Sequence, residues 1–108
     1  MKWTVETLNR LVDAELESLP TDMRARFVHI ARLIEEFDLE RVHEPHVKHL
    51  QGALWEMRLT GRAGISRALY VTAVGRRLIV LRVFVKKTQK TPRFEIELAL
   101  RRSKEILA

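Results

Sequence analysis

The 108-residue chain contains no cysteine, which excludes disulfides, thiolate metal sites and a cysteine nucleophile. Its four glycines stand apart from one another, so no glycine-rich phosphate loop is present. No apolar run approaches the length needed to cross a bilayer, and no membrane attachment is expected. The opening MKWTVETLNR lacks the long apolar core of a secretory leader, so the expected location is cytoplasmic. His43, His46 and His49 recur at intervals of three, but Pro45 interrupts helical spacing between the first two. They are expected to be structural or solvent-facing, and no metal site is assigned. The most informative absence is of acid. Between Glu56 and Glu95 lie ten basic residues and no Asp or Glu.

That gap shapes the charge of the whole chain. Residues 1–53 hold seven Lys/Arg against ten Asp/Glu, a net −3, whereas residues 54–108 hold thirteen against four, a net +9, so the excess of positive charge in the total of +6 comes from the second half. Charge segregated by sign is an electrostatic footprint for a polyanion, whereas a solubilising face mixes both signs. Hydrophobic content of 46% with 31% charged residues is that of a folded globular protein, and the length suits a single domain over residues 1–108.

The first half carries helical periodicity. Val5, Leu8, Leu11, Val12, Leu16 and Leu19 recur at three and four residues and predict a helix over 4–19, with KWTV as a possible short strand before it. Met23, Phe27, Ile30, Ile34 and Phe37 form the stripe of a second helix. The segment DLERVHEPHVKHLQG is expected to be an irregular connection. After Gly52 the period changes to two: LWEMRL, ISRALYVT and RLIVLRVFV predict an antiparallel meander with turns at TGRAG and AVGR. A last helix is expected over Pro92–Leu107, capped by Thr91, with Ile96, Ala99, Leu100, Ile106 and Leu107 as its apolar stripe. The fold class is therefore α+β: N-terminal helices, a three- to four-stranded, mainly antiparallel sheet and a C-terminal helix. The helices are expected to cover one face of that sheet.

Strand alternation sorts the basic residues. Arg58, Arg67 and Arg82 fall in three successive strands and are expected side by side on the open face, where their repulsion calls for an anion such as phosphate. The competing reading pairs Arg67 with Glu56 in a structural ion pair. Lys86, Lys87 and Lys90 stand where the last strand gives way to a helix, with Arg93 in its first turn, and together they suit a phosphate cradle. Trp55 is expected in the core. Phe84, on the arginine side, is the candidate to stack a base, and Phe94 is a candidate partner contact.

These residues carry a resemblance. HVKHLQGALWEMRL followed by GISRALYVTAVGRRLIVLRVFVKKTQKTPRFEIELAL resembles the phage-derived, HigB-like branch of the RelE/ParE toxin superfamily, over about the C-terminal two thirds of the chain. The shared elements are Lys48, Gly52, Leu54, Trp55, Glu56 and Arg58, then Gly64, Arg67 and Tyr70, then Phe84, Lys86, Lys87, Lys90, Thr91, Pro92 and Glu95. The resemblance implies the toxin of a type II toxin–antitoxin module, which cleaves mRNA on the ribosome without metal or other cofactor. It also implies a cognate antitoxin, in this branch a helix-turn-helix DNA-binding protein, that covers the active face.

Carried onto this sequence, it implies attack of a 2′-OH on the adjacent 3′ phosphate, with Arg67 and Lys87 as the main stabilisers and Lys86 assisting. Arg58, Arg82, Lys90 and Arg93 would hold RNA backbone. Relatives that use a C-terminal tyrosine or histidine are not matched here, because no tyrosine follows Tyr70 and no histidine follows His49. The general base is then a lysine of lowered pKa, Tyr70 itself, or absent. A ParE-like inhibitor of DNA gyrase that does no nuclease chemistry, and a non-catalytic RNA-binding module, are the alternatives that remain.

Overall fold

A computed structural model describes residues 2–107, without the side chain of Leu107. The elements run β1 (Thr4–Thr7), α1 (Arg10–Glu17), α2 (Thr21–Phe37), β2 (Val47–Gln51), β3 (Leu54–Gly61), β4 (Gly64–Ala73), β5 (Arg77–Lys86) and α3 (Arg93–Ser103), with single 3₁₀ turns at Leu39–Arg41 and Lys104–Leu107. The architecture is α+β, as expected, but the sheet has five strands in the order β1-β5-β4-β3-β2. The meander β3-β4-β5 forms its centre. Two short strands complete the edges: β1 overlaps the KWTV segment read as a possible short strand, and β2 lies where an irregular connection was expected.

At the N-terminus the predicted helix begins late. Asn9 accepts a hydrogen bond from the Val12 N–H at 3.1 Å and caps α1, leaving Thr4–Thr7 extended. That strand runs parallel to β5, Thr4 opposite Arg77 and Thr7 opposite Val80. The other edge is β2, inside the segment expected to be irregular, and it pairs antiparallel with β3. Phe37, assigned to the buried stripe of α2, is 53% exposed at the helix end, while Met23, Phe27, Ile30 and Ile34 are buried.

The helices do not share one face. Apolar side chains occupy both parities of β4 and β5, so both faces need cover. Ala68, Tyr70, Leu78 and Val80 join Met57 and Leu59 beneath α1 and α2. On the other face Leu69, Val71, Ile79, Leu81 and Phe84 pack with Leu54 and with Ala99 of α3. The single helix α3 covers the β4–β5 half of its face and leaves the β2–β3 half, with its polar residues, uncovered.

The β3–β4 turn is pinned to the start of α2. Asp22 accepts the Arg62 N–H at 2.7 Å, and a Cβ on Gly61 would lie 2.8 Å from both Asp22 carboxylate oxygens and from Met23 Cγ. Gly61→Ala is expected to destabilise the fold by about 1–3 kcal/mol through this overpacking, measured as a lowered urea midpoint at unchanged m-value.

Candidate nucleic-acid interface

The uncovered half-face gathers residues from β2, β3, β4, β5 and the loop before α3. Alternation places Glu56 and Arg58 of β3 on the α3 side, and the register sets Arg58 opposite Arg67 and Arg67 opposite Phe84. Lys48 lies opposite Glu56 in the next row, and Lys86 lies opposite Ile65 in the row on the other flank. Two of the three arginines expected in line are therefore neighbours. Arg82 is displaced, because the same register that sets Arg67 opposite Phe84 sets Arg82 opposite Leu69, in the row of Glu56.

Arg82 is also spoken for by acids from both helical layers. It meets Glu95 of α3 at 2.6 Å and Glu15 of α1 at 2.8 Å, and its guanidinium lies 5.9 Å from the centre of the Phe84 ring. Hydrogen bonding to Glu95, opposed by burial and helped by Glu15, holds its pKa above the ordinary arginine value. Phe84 itself is only 8% exposed and belongs to the α3-side core, so its ring presents no free face to a base in this conformation. The exposed aromatic nearby is Phe94, next to Arg93, whose charge is shared with Glu97.

Arg67 is 2% exposed. Its Nη1 donates to Glu56 Oε2 and to Thr91 Oγ1, and its Nη2 lies 3.5 Å from the Gln89 carbonyl. Pairing with Glu56 and placement beside Arg58, set against each other in the sequence, occur together: Glu56 stands in the row next to the arginine pair and is 3.7 Å from Arg58 Nε. The Thr91 hydroxyl is used here and caps nothing; α3 starts from Pro92 without a side-chain cap. Glu56 and Thr91 were missed as members of the site, although the shared parity of Glu56 and Arg58 places that carboxylate on the basic face.

The lysines stand over this buried layer. Lys86 is half-buried at the end of β5, and Lys87 and Lys90 are exposed in the following loop. Among the described residues no ion pair engages any of the three. Loss of hydration depresses the pKa of Lys86, and the charges of Arg67, Arg58 and Lys48 press it further down against the pull of Glu56. Among the described residues the one carboxylate paired with Arg58 is the buried Glu56 and none is paired with Lys86, so an anion between the two would meet cationic charge.

Other polar features lie elsewhere. Tyr70 is on the opposite face, under α1 and α2, and burial pushes its phenol well above the ordinary value, so it is not the base of this site. A groove of about 770 Å³ opens on that side between Trp3, Val42, Val47, Trp55 and Tyr70. Trp55, expected in the core, stands at its rim, 38% exposed, with the His49 ring edge-on at 5.1 Å. His49 Nε2 is 2.7 Å from the Gly52 carbonyl, and among the described residues no His, Asp or Glu group is arranged to hold a metal. Nor is any described helix long and apolar enough to cross a membrane.

Residues 14–104 match the family model described as phage-derived protein Gp49-like. The chain belongs to that family. Its α+β fold is also that of a chain in the crystal structure of the archaeal RelE–RelB complex from Pyrococcus horikoshii OT3, with a TM-score of 0.56 and 25% identity, covering 79% of this chain and 96% of that one. The Gp49-like chain and its archaeal neighbour thus share nearly the whole of the smaller fold. No curated protein sequence matches it.

Proposed function

We propose that the chain is the toxin of a toxin–antitoxin pair, in the HigB-like branch of the RelE superfamily, and that it cleaves mRNA during translation. The single observation behind this reading is the cluster of Lys86, Lys87 and Lys90 without acidic partners, set beside Arg58 above a buried Arg67–Glu56 pair. Membership of the Gp49-like family and the likeness to a RelE–RelB complex support it.

In the proposed reaction the 2′ oxygen of a nucleotide bonds to its own 3′ phosphorus, and the bond to the 5′ oxygen of the next nucleotide breaks. The products are a 2′,3′-cyclic phosphate and a free 5′ hydroxyl. Lys86, whose ammonium is disfavoured where it stands, takes the 2′ proton as the amine, and the departing 5′ oxygen takes a proton from water. Arg58 and Lys87 neutralise the charge that grows on the phosphoryl oxygens, and Lys90 and Arg93 hold flanking backbone. Arg67, expected as a main stabiliser at the phosphate, lies buried and paired with Glu56, and Arg58 takes that place. Lys86 and Lys87 keep the catalytic roles expected of them, with the base assigned to Lys86. The antitoxin, a helix-turn-helix DNA-binding protein on this reading, inhibits by covering the basic half-face with acidic side chains. The partners in action are the ribosome and its mRNA, in the cytoplasm.

The test is 5′-end mapping of an mRNA in a purified translation system, with and without ribosomes. Wild type is expected to cut only translated message, and Lys87→Met to cut roughly a hundredfold more slowly. Intact message under every condition would end the nuclease reading, and DNA cleavage complexes in cells exposed to the protein would replace it with gyrase inhibition.

A further inference from the structure

Glu56 is the carboxylate that the described residues place on the basic half-face, and it is fully buried. A buried carboxylate costs several kcal/mol unless its oxygens are satisfied, so its partners show what it holds. Oε2 accepts from Arg67 Nη1, and Oε1 accepts the Thr91 hydroxyl at 2.7 Å. Thr91 Oγ1 in turn accepts from the same Arg67 Nη1 at 3.0 Å, which closes a three-membered ring of hydrogen bonds between β3, β4 and the loop. The Arg67 Nη2 contact with the Gln89 carbonyl adds a second tie to that loop, and the Thr88 hydroxyl folds it inward by donating to the Lys90 carbonyl at 2.6 Å.

Among the described residues no ion pair holds the segment otherwise. Lys87, Thr88, Gln89 and Lys90 are exposed, lie between β5 and α3 and place no side chain in either core. Four exposed residues with repelling lysines would otherwise sample many conformations, each misplacing the charges they carry. The ring is balanced for charge, and the Thr91 hydroxyl both donates and accepts within it.

We propose that Glu56 is a positioning residue: through Thr91 and Arg67 it latches the Lys87–Lys90 loop onto the sheet and so sets the lysines at the distance where they meet an RNA phosphate. The catalytic part of this rests on the nuclease reading above; the latch itself does not. Glu56 touches no substrate and moves no proton. Its side chain works only by fixing two others.

Thr91→Val removes the hydroxyl while keeping the volume, and Thr91→Ser keeps the hydroxyl. Backbone ¹⁵N order parameters of residues 87–90 are expected near the rigid value of about 0.85 in wild type and Thr91→Ser, and below about 0.6 in Thr91→Val. In the translation assay Thr91→Val is expected to lower kcat about tenfold with KM within about twofold, because phosphate contacts are lost from the transition state more than from the bound message. Thr91→Ser is expected to restore kcat. Glu56→Gln, if it folds, should loosen the loop likewise, since the amide cannot anchor Arg67 with charge. Unchanged order parameters in Thr91→Val would overturn the latch. A mobile loop with full kcat would overturn the positioning role, and a mobile loop in a protein whose wild type cuts no message would leave the latch standing while ending the nuclease reading.

Discussion

Lys86→Met is expected to reduce mRNA cleavage by about 10²–10³-fold, which is what losing a proton acceptor together with one charge at the phosphate would produce. Charge and proton transfer can be separated at this position. Lys86→Arg keeps the positive charge but not the titration, since a guanidinium does not deprotonate in the accessible range. If Lys86 is the base, arginine rescues message binding and leaves kcat low. The pH dependence follows from the direction of its shift. Burial and the neighbouring Arg67 and Arg58 lower the Lys86 pKa, so the reactive amine appears at lower pH than for a free lysine. The wild-type rate should therefore rise with pH and level off below the ordinary lysine value of about 10.4. Single-turnover cleavage measured across pH checks this; a flat profile, or full activity in Lys86→Arg, would remove Lys86 from proton transfer.

Glu15→Ala should produce the largest loss of stability. Glu15 sits in α1 but binds three places at once: Arg102 of α3 at 2.8 Å, Arg82 of β5 at 2.8 Å, and the Val83 backbone N–H at 3.0 Å beside the bulge. Truncation strands that N–H and leaves two guanidinium groups short of a partner, which costs about 2–4 kcal/mol. For a domain of this size that is a fall in Tm on the order of 10–20 °C. Burial raises the Glu15 pKa, but the hydrogen bonds from Arg102, Val83 and Arg82 outweigh it and hold the carboxyl below its ordinary value. A depressed folded-state pKa stabilises the protein above the unfolded value and loses that contribution as pH falls through the folded one. Wild type should thus weaken as acid is added below about pH 4.3. The Glu15→Ala variant should show a shallower acid limb, and parallel limbs in urea melts from pH 6 to pH 3 would refute this account.

The same carboxylate explains why Arg82 proved a poor candidate for RNA. Its parity with Phe84 and Lys86 is legible along the strand, and so is its placement on the α3 side. The acids that claim it are not. Glu15 is 67 positions away in helix α1, and only the packing of α1 against β5 brings the two together. Phe84 failed as a stacking residue for a related reason. Alternation reports which face a side chain takes, not whether another element covers that face, and α3 folds over β5 where Phe84 lies.

The alternating period and short turns of the sequence by themselves determined the meander β3-β4-β5, because a strand with a buried face must repeat every second residue. Four-residue spacing likewise determined α2, and the acid-free stretch from Glu56 to Glu95 determined that one region would be basic. The edge strands β1 and β2 were decided by tertiary pairing, since four and five residues carry too little periodicity to declare themselves without a neighbour. Tertiary structure also chose which basic residues stay free. Arg67 and Arg82 went to buried acids, Arg58 keeps one long contact to Glu56 at 3.7 Å, and among the described residues Lys86, Lys87 and Lys90 are engaged by no ion pair. Desolvation is the physical reason: an arginine carried under a helix must find a carboxylate there, whereas a lysine on the uncovered half-face can wait for a phosphate.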